Sequence, residues 1–173
     1  MKRFETERTF MRPVGTEDTF DFYTLNLDPE VMQYTGDRSF NSMEDARSFL
    51  EQYDQFTKYG IGRFAVIEKS SNRFIGWCGL KYHSKTDEYD LGFRFLKTYW
   101  NKGFATETSR KWLEYAFTEM QLSAVIGRSM SANTGSIRVL EKIGMELKQK
   151  RTCGGEDGVI YEITKNKYEA WAS

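Results

Sequence analysis

The 173 residues carry 25 lysines and arginines against 25 aspartates and glutamates, a formal net charge of zero, whereas nucleic-acid binders show a basic excess, so a nucleic-acid partner is disfavoured. The length suits one domain, spanning 1–173, with a single sizeable core. No apolar run is long enough to cross a bilayer, and MKRFETERTF has acidic residues where a signal peptide is apolar, so a cytoplasmic protein without a membrane partner is expected, either monomer or homodimer. Cys78 and Cys153 are far apart and lack metal-ligand or redox spacing, which reads as two free thiols, and His83 is the only histidine, so no metal site is expected.

In chain order, ETERTFMR (5–12) reads as a first strand ending at Pro13. Helical signals follow. Asp28 precedes Pro29 as an N-cap, Ser42 with Asp45 resembles a capping box, and Met43, Ala46, Phe49, Leu50, Tyr53 and Phe56 keep helical spacing up to Gly60. GRFAVIEK, RFIGWCGLKYH and YDLGFRFL, separated by SSN and KTDE, read as three antiparallel strands of a meander. Gly92, inside the third, suggests a bulge or a close backbone approach, or simply a packing glycine. A tight turn then runs straight into a helix bearing Trp112, Leu113, Ala116 and Phe117. SAVIGRSM reads as a strand, Asn133 to Gly144 as a short helix, and MELKQKRT and GVIYEITK as strands around the loop CGGEDG. This order predicts an α/β or α+β fold with a mixed sheet.

The turn Trp100, Asn101, Lys102, Gly103, Phe104, Ala105 carries the chemistry. A helix N-terminus presents unpartnered N–H groups and a partial positive charge, which suits an anion. Gly103 tolerates positive φ, Asn101 tolerates left-handed geometry, and Lys102 would add charge. Neither the P-loop string nor GxGxxG occurs, so a standard nucleotide loop is excluded. A plain strand-to-helix turn is the alternative.

The segment LGFRFLKTYWNKGFATE resembles the acetyl-coenzyme A site of the GNAT N-acetyltransferases, particularly the RimJ/RimL type, and TERTFMRP, FIGWCGL, NTGSIRVLEKIGM and DGVIYEIT extend the resemblance over most of residues 5–165 in the family's order. It implies a mixed, mostly antiparallel twisted sheet with helices on both faces and a V-shaped split between the strand ending near Leu96 and the strand at 123–130. It further implies acetyl-CoA as co-substrate, with pantetheine held by Phe93, Arg94 and Phe95, and pyrophosphate held by Asn101, Lys102, Gly103, Phe104, Ala105 and Thr106. The N–H of Phe95 is expected to polarise the carbonyl, Asn133 to hold pantetheine, and Ser136 to stabilise the leaving thiolate, because Leu140 stands where many relatives have a tyrosine acid. Asn133 and Ser136 also read as ordinary helix caps, and Glu107 as a carboxylate favoured by the helix dipole. Asp90 and Glu156 are the candidate bases.

The function implied is acetyl transfer to a primary amine, a protein N-terminus or a small molecule, with a non-catalytic acyl-CoA-binding module as the alternative. Tyr34, Phe40, Tyr53 and Phe56 are candidates for an acceptor pocket or for core. Glu156 and Asp157 suggest an electronegative acceptor side that favours cationic amines, whereas a preference for acidic acceptors would point instead to Arg38 or Arg63.

Overall fold

The computed structural model describes residues 2–153 and 155–173. Eight strands form one sheet in the order β1-β2-β3-β4-β5-β6-β8-β7. They are β1 (Phe4–Glu5), β2 (Thr9–Pro13), β3 (Arg63–Glu68), β4 (Arg73–His83), β5 (Glu88–Phe95), β6 (Ala124–Met130), β7 (Glu146–Cys153) and β8 (Glu156–Thr164). All neighbours are antiparallel except β5 and β6, which run parallel. The expected mixed sheet with helices on both faces is present, and the β3-β4-β5 meander stands within one residue or so of its sequence reading.

Two differences concern the first third. Residues 5–12 do not form one strand: Thr6 N–H donates to Thr9 O at 2.9 Å, a turn that separates β1 from β2. The helical pattern through Phe56 is divided into α3 (Met43–Gln52) and α4 (Gln55–Tyr59), which follow α1 (Thr19–Leu25) and α2 (Pro29–Met32). Tyr53 leaves α3 in an extended conformation, and its hydroxyl accepts from the N–H of Arg63 at 2.8 Å. That long-range bond overrides the local helical periodicity. Both expected caps form, since Ser42 accepts from Asp45 N–H and Asp28 from Glu30 N–H. Gly60 ends α4 in the left-handed region, at φ 69°.

The sheet is covered on both sides, which explains why FIGWCGL is a continuous apolar run rather than an alternating one. One face packs Phe64, Cys78, Leu80 and Leu91 against α5 (Phe104–Thr118). The other packs Ala65, Phe74 and Trp77 against Phe22, Leu25 and Leu50 of α1 and α3. Helix α5 buries Phe104, Thr108, Trp112 and Ala116 at four-residue spacing, with Ser109, Leu113 and Phe117 one position on, so a single stripe meets the sheet. Trp112 is fully buried between Phe4 and Phe64, each 4.8 Å from its ring, an arrangement that contributes about 3–5 kcal/mol relative to alanine. Gly79 is required by close approach, because a Cβ there would lie 1.7 Å from the Gly62 carbonyl oxygen. Gly92 keeps regular register with Gly79, so it is not a bulge.

Past β6, α6 (Thr134–Lys142) begins at Asn133 and stops before Gly144, at φ 90°, as the sequence suggests. A C-terminal helix, α7 (Lys165–Ala172), follows β8 where the sequence reads as strand through Lys165, with Thr164 as N-cap accepting from Lys167 N–H at 3.4 Å. It lacks an apolar stripe and docks chiefly by Tyr168, which stacks on Phe117 at 4.7 Å. Among the described residues no helix is long and apolar enough to cross a membrane, and no cluster of His, Cys, Asp or Glu is arranged to hold a metal. The side chain of Cys153 lies outside the described residues.

Cys78 is buried beside Ser109, and burial pushes its thiol up to about 11 from 9.0, against hydrogen bonds from Thr108 and Ser109. Between these values the unfolded chain has released a proton that the folded chain retains, so stability falls as pH rises through this window. At pH 10 the thiol should cost the wild type about 1.4 kcal/mol that a Cys78→Ala chain does not lose. Denaturant midpoints of both chains at pH 8 and pH 10 measure this. Equal losses would refute it.

Candidate active site

Asp90 on β5 and Ile126 on β6 are the one registered pair between the two parallel strands. Beyond it the strands part, leaving the split expected between them. Leu96 N–H donates to Ile75 O on β4 at 3.0 Å, and successive residues of a strand direct their backbone groups to opposite sides. The N–H groups of Phe93 and Phe95 therefore face the split. On the same side, the Phe95 carbonyl accepts from Trp100 Nε1 at 2.9 Å.

A cleft of about 1270 Å³ runs through this opening. Its lining includes Phe104, Ala105 and Thr106 of α5 from one side of the sheet and Val31, Phe49 and Tyr53 from the other. Of the residues expected to bind cofactor, Phe93, Arg94, Phe95, Asn101, Gly103, Phe104, Ala105, Thr106 and Asn133 all line it. Lys102 does not: its side chain is exposed, with Nζ 5.6 Å from the Tyr99 ring centre.

The turn before α5 has the geometry of an anion cradle. Asn101 at φ 58° and Gly103 at φ 83° both adopt left-handed conformations, and Gly103 caps α5 without a side-chain bond. The N–H groups of Phe104, Ala105 and Thr106 find no acceptor among the described residues. A positive side chain that the sequence reading missed stands beside them. Arg8 donates through Nη1 to Lys102 O at 2.8 Å and through Nε to Glu107 Oε2 at 2.7 Å, and its guanidinium covers the Phe104 ring at 4.1 Å. Burial would push the Glu107 carboxyl up, but hydrogen bonds from Thr6 and Arg8, with the charge of Arg8, hold it below the usual range. Glu107 therefore anchors the Thr6–Thr9 turn to the cradle, a role more specific than dipole compensation. Nothing near Arg8 in the sequence marks it, because its partner lies 99 residues away.

On the far side of the split, Asn133 caps α6, its Oδ1 accepting from Ser136 N–H at 3.1 Å. The Ser136 hydroxyl has no hydrogen bond among the described residues, and the residue lines the cleft. Asp90 also lines it, at the closed end, where its Oδ2 accepts from Arg128 Nη1 at 2.8 Å and lies 3.2 Å from His83 Nε2. Arg128 reaches Glu88 through its other nitrogen at 2.8 Å. Glu156 does not join this group: it opens β8 at the β7–β8 hairpin tip, exposed and outside the cleft lining, as does Asp157. The start of β8 pairs with the end of β6, where Ser131 N–H donates to the Asp157 carbonyl at 2.8 Å, and the side chains of Glu156 and Asp157 stay at the hairpin tip.

The arm of the cleft under α3 is rich in arginine. The Arg94 guanidinium is buried and donates to Asp37 Oδ2 and Asn26 Oδ1, both at 2.7 Å. Arg63 lies over the Trp77 ring at 4.6 Å. Burial lowers its pKa from the ordinary arginine value, and Arg94 adds to this against the opposing influence of Tyr53 and Asp37. Tyr34 and Tyr53 line the cleft, whereas Phe40 and Phe56 pack into core against Phe49 and Phe64.

Comparison with known proteins agrees with this layout. The acetyltransferase (GNAT) domain family matches residues 8–146. An uncharacterised N-acetyltransferase of Bacillus licheniformis, p20, is 28% identical over 97% of this chain and 99% of its own length. A crystal structure of a GNAT-family acetyltransferase from Bacillus anthracis superposes with a TM-score of 0.84 at 29% identity, covering 95% of this chain and 99% of that one. The ribosomal-protein-S5-alanine acetyltransferase of Vibrio fischeri shares the fold, with a TM-score of 0.82 at 16% identity over 97% of this chain and 99% of that one. The split sheet, the helix-capped cradle and the match over most of the length have one account: this chain belongs to the GNAT acetyltransferase family and is an N-acetyltransferase.

Proposed function

We propose that the cleft binds acetyl-CoA across the split and passes the acetyl group to a primary amine, of a small molecule or a protein N-terminus, as RimJ/RimL-type enzymes do. The observation that carries this reading is that unpartnered N–H groups of α5 and the outward N–H groups of Phe93 and Phe95 line one continuous cleft. The cradle from Asn101 to Thr106 takes the pyrophosphate, with Arg8 supplying the side-chain charge, and the backbone of Phe93 to Phe95 with Asn133 takes pantetheine. When bound, acetyl-CoA supplies the acyl group as an activated thioester.

The chain's own groups then do three things. The N–H of Phe93 polarises the thioester carbonyl, in place of Phe95, because it lies nearer the closed end and the pantetheine arm reaches inward from the cradle. Ser136 Oγ stabilises or protonates the leaving sulfur. Asp90 takes the proton of the amine through Oδ1, while Arg128 and His83 hold Oδ2. Glu156 has no part in this arrangement. Release of the CoA thiol from acetyl-CoA with a panel of amines tests the whole reading, and bound acetyl-CoA without release from any amine would overturn it.

Gly103→Val should weaken acetyl-CoA binding by tenfold or more in a folded protein, since a β-branched residue resists positive φ and its Cβ would press on Arg8, 3.3 Å away. Calorimetry with CoA measures this, and undiminished affinity removes the cradle.

Ser136→Ala should lower kcat by about 10²-fold with little change in the KM for acetyl-CoA, because stabilisation of the leaving sulfur is realised in the transition state. A variant altered only in KM would leave Ser136 as a ground-state ligand.

Asp90→Asn should flatten the acidic limb of the pH–rate profile, whereas Glu156→Gln should leave the profile unchanged. Profiles of the two variants that match each other would reject the assignment.

A further inference from the structure

Arg63 is a cation of the cleft that none of these roles uses. It opens β3, and its register runs to Gly79 on β4 and from there to Gly92 on β5. Opposed residues of neighbouring strands project to the same face, so its side chain rises on the α1–α3 side, level with Gly92. The guanidinium lies 4.6 Å from the Trp77 ring, 5.1 Å from Phe49 and 5.8 Å from Tyr53. These rings shield it from water and attract it, but none is an anion.

Among the described residues the Arg63 guanidinium has neither an ion pair nor a hydrogen bond. The other two arginines on the sheet side of the cleft have carboxylates: Arg94 has Asp37, and Arg128 has Asp90 and Glu88. Arg138, on α6, also lines the cleft without a carboxylate but is exposed to water, as are Arg38, Arg73 and Arg151 outside it. The acids lining the same cleft are also engaged, Glu30 by Lys97 and Asp54 by Lys58. A mostly buried guanidinium in an aromatic setting, with every nearby acid taken, is therefore an uncompensated positive charge facing the cavity, and such charges call for an anionic partner.

The cleft reaches both Arg63 and Gly92. Gly92 has no side chain, and a Cβ there would press on the Trp77 ring, 3.3 Å away, so the ring lies beside this glycine. Two strand spacings separate Arg63 from Gly92, about 10 Å between backbones. The arginine and the Trp77 ring take up much of that, and the cleft that Arg63, Gly92 and Phe93 all line supplies the space for a small molecule between the guanidinium and the split. A planar guanidinium matches a carboxylate in a two-point contact. Resting on the acetyl-transfer reading above, we infer that the acceptor is a small amine that also bears a carboxylate, and that Arg63 holds this carboxylate while the amine reaches the thioester beside Gly92 and Phe93. This reverses the preference for cationic amines expected from Glu156 and Asp157, which lie outside the cleft.

Two measurements test it. In the first, N-acetylglycine and N-acetylglycinamide, matched product analogues that need no turnover, are titrated into the protein with CoA present, with tryptophan fluorescence as the signal because Trp77 lies beneath Arg63. The acid should bind at least tenfold more tightly than the amide, Arg63→Met should abolish the difference, and Arg63→Lys should retain part of it. Equal binding of acid and amide to the wild type overturns the inference without recourse to a variant, and so does a preference that survives Arg63→Met. In the second, kcat/KM is compared for small amino acids and their carboxamides. Acetylation that favours the acids supports the inference, and CoA release with equal or greater efficiency from the amides overturns it while leaving acetyl transfer intact. Tight binding of the acid without CoA release from any amine would keep the Arg63 subsite and overturn the transfer reading instead.

Discussion

Two adjacent strands that run in the same direction cannot be joined by a hairpin, because the chain must travel back to the starting end before the second strand begins. That requirement organises this molecule. The chain leaves β5 at Phe95 and re-enters the sheet at Ala124, and α5, about 22 Å long at 1.5 Å per residue, makes the return journey over one face. A helix that starts where β5 ends has its N-terminus at the mouth of the gap between β5 and β6. The anion-attracting end of α5 and the unpaired backbone of β5 are thus brought together by connectivity, before any side chain is considered. Trp100 contributes at the same corner by taking the Phe95 carbonyl, leaving the neighbouring N–H groups as the free donors of the split.

Zero net charge says little about the field inside such a gap. The acids of the cleft are each paired, Asp37 with Arg94 and Asp90 with Arg128, which also holds Glu88, and these pairs fix elements to the sheet as much as they set a potential. Arg94 fixes the segment after α2, and Arg128 closes the apex of the split. Against that background the mostly buried guanidinium of Arg63, unpaired among the described residues, has a large local effect, because the aromatic rings around it offer little dielectric screening.

What the sequence disclosed and what it withheld divide along the distance between partners. The meander, the left-handed Gly103, the cap at Asn133 and the stop at Gly144 all rest on neighbours within a few residues, and each is readable as a local pattern. The break at Tyr53 depends on a bond to Arg63, ten residues on and in a different element. Helix α7 depends on a ring stacked upon Phe117. The cation at the cradle is the extreme case: Lys102 is the neighbour in sequence, yet Arg8 is the neighbour in space. For the acceptor side, Glu156 and Asp157 form a conspicuous acidic pair in the chain, but the pairing of β8 along β6 carries them to a hairpin tip. Arg63 stands in the sequence reading only beside Arg38 as an alternative anchor for acidic acceptors, and nothing local separates the two, since the significance of Arg63 is the absence of a partner among the described residues.

The bond between Arg8 and Glu107 also bears on how the molecule comes together. It closes a loop of 99 residues, so forming the cradle's outer wall costs more chain entropy than forming the β3-β4-β5 meander, which is built from near neighbours. A cofactor that needs the finished wall binds the native chain and not its precursors. Its cellular concentration then enters the folding equilibrium by mass action, adding about 2.7 kcal/mol at a hundred times its dissociation constant. The supply of acyl donor thereby helps determine how much of the protein survives unfolding, as well as how fast it works.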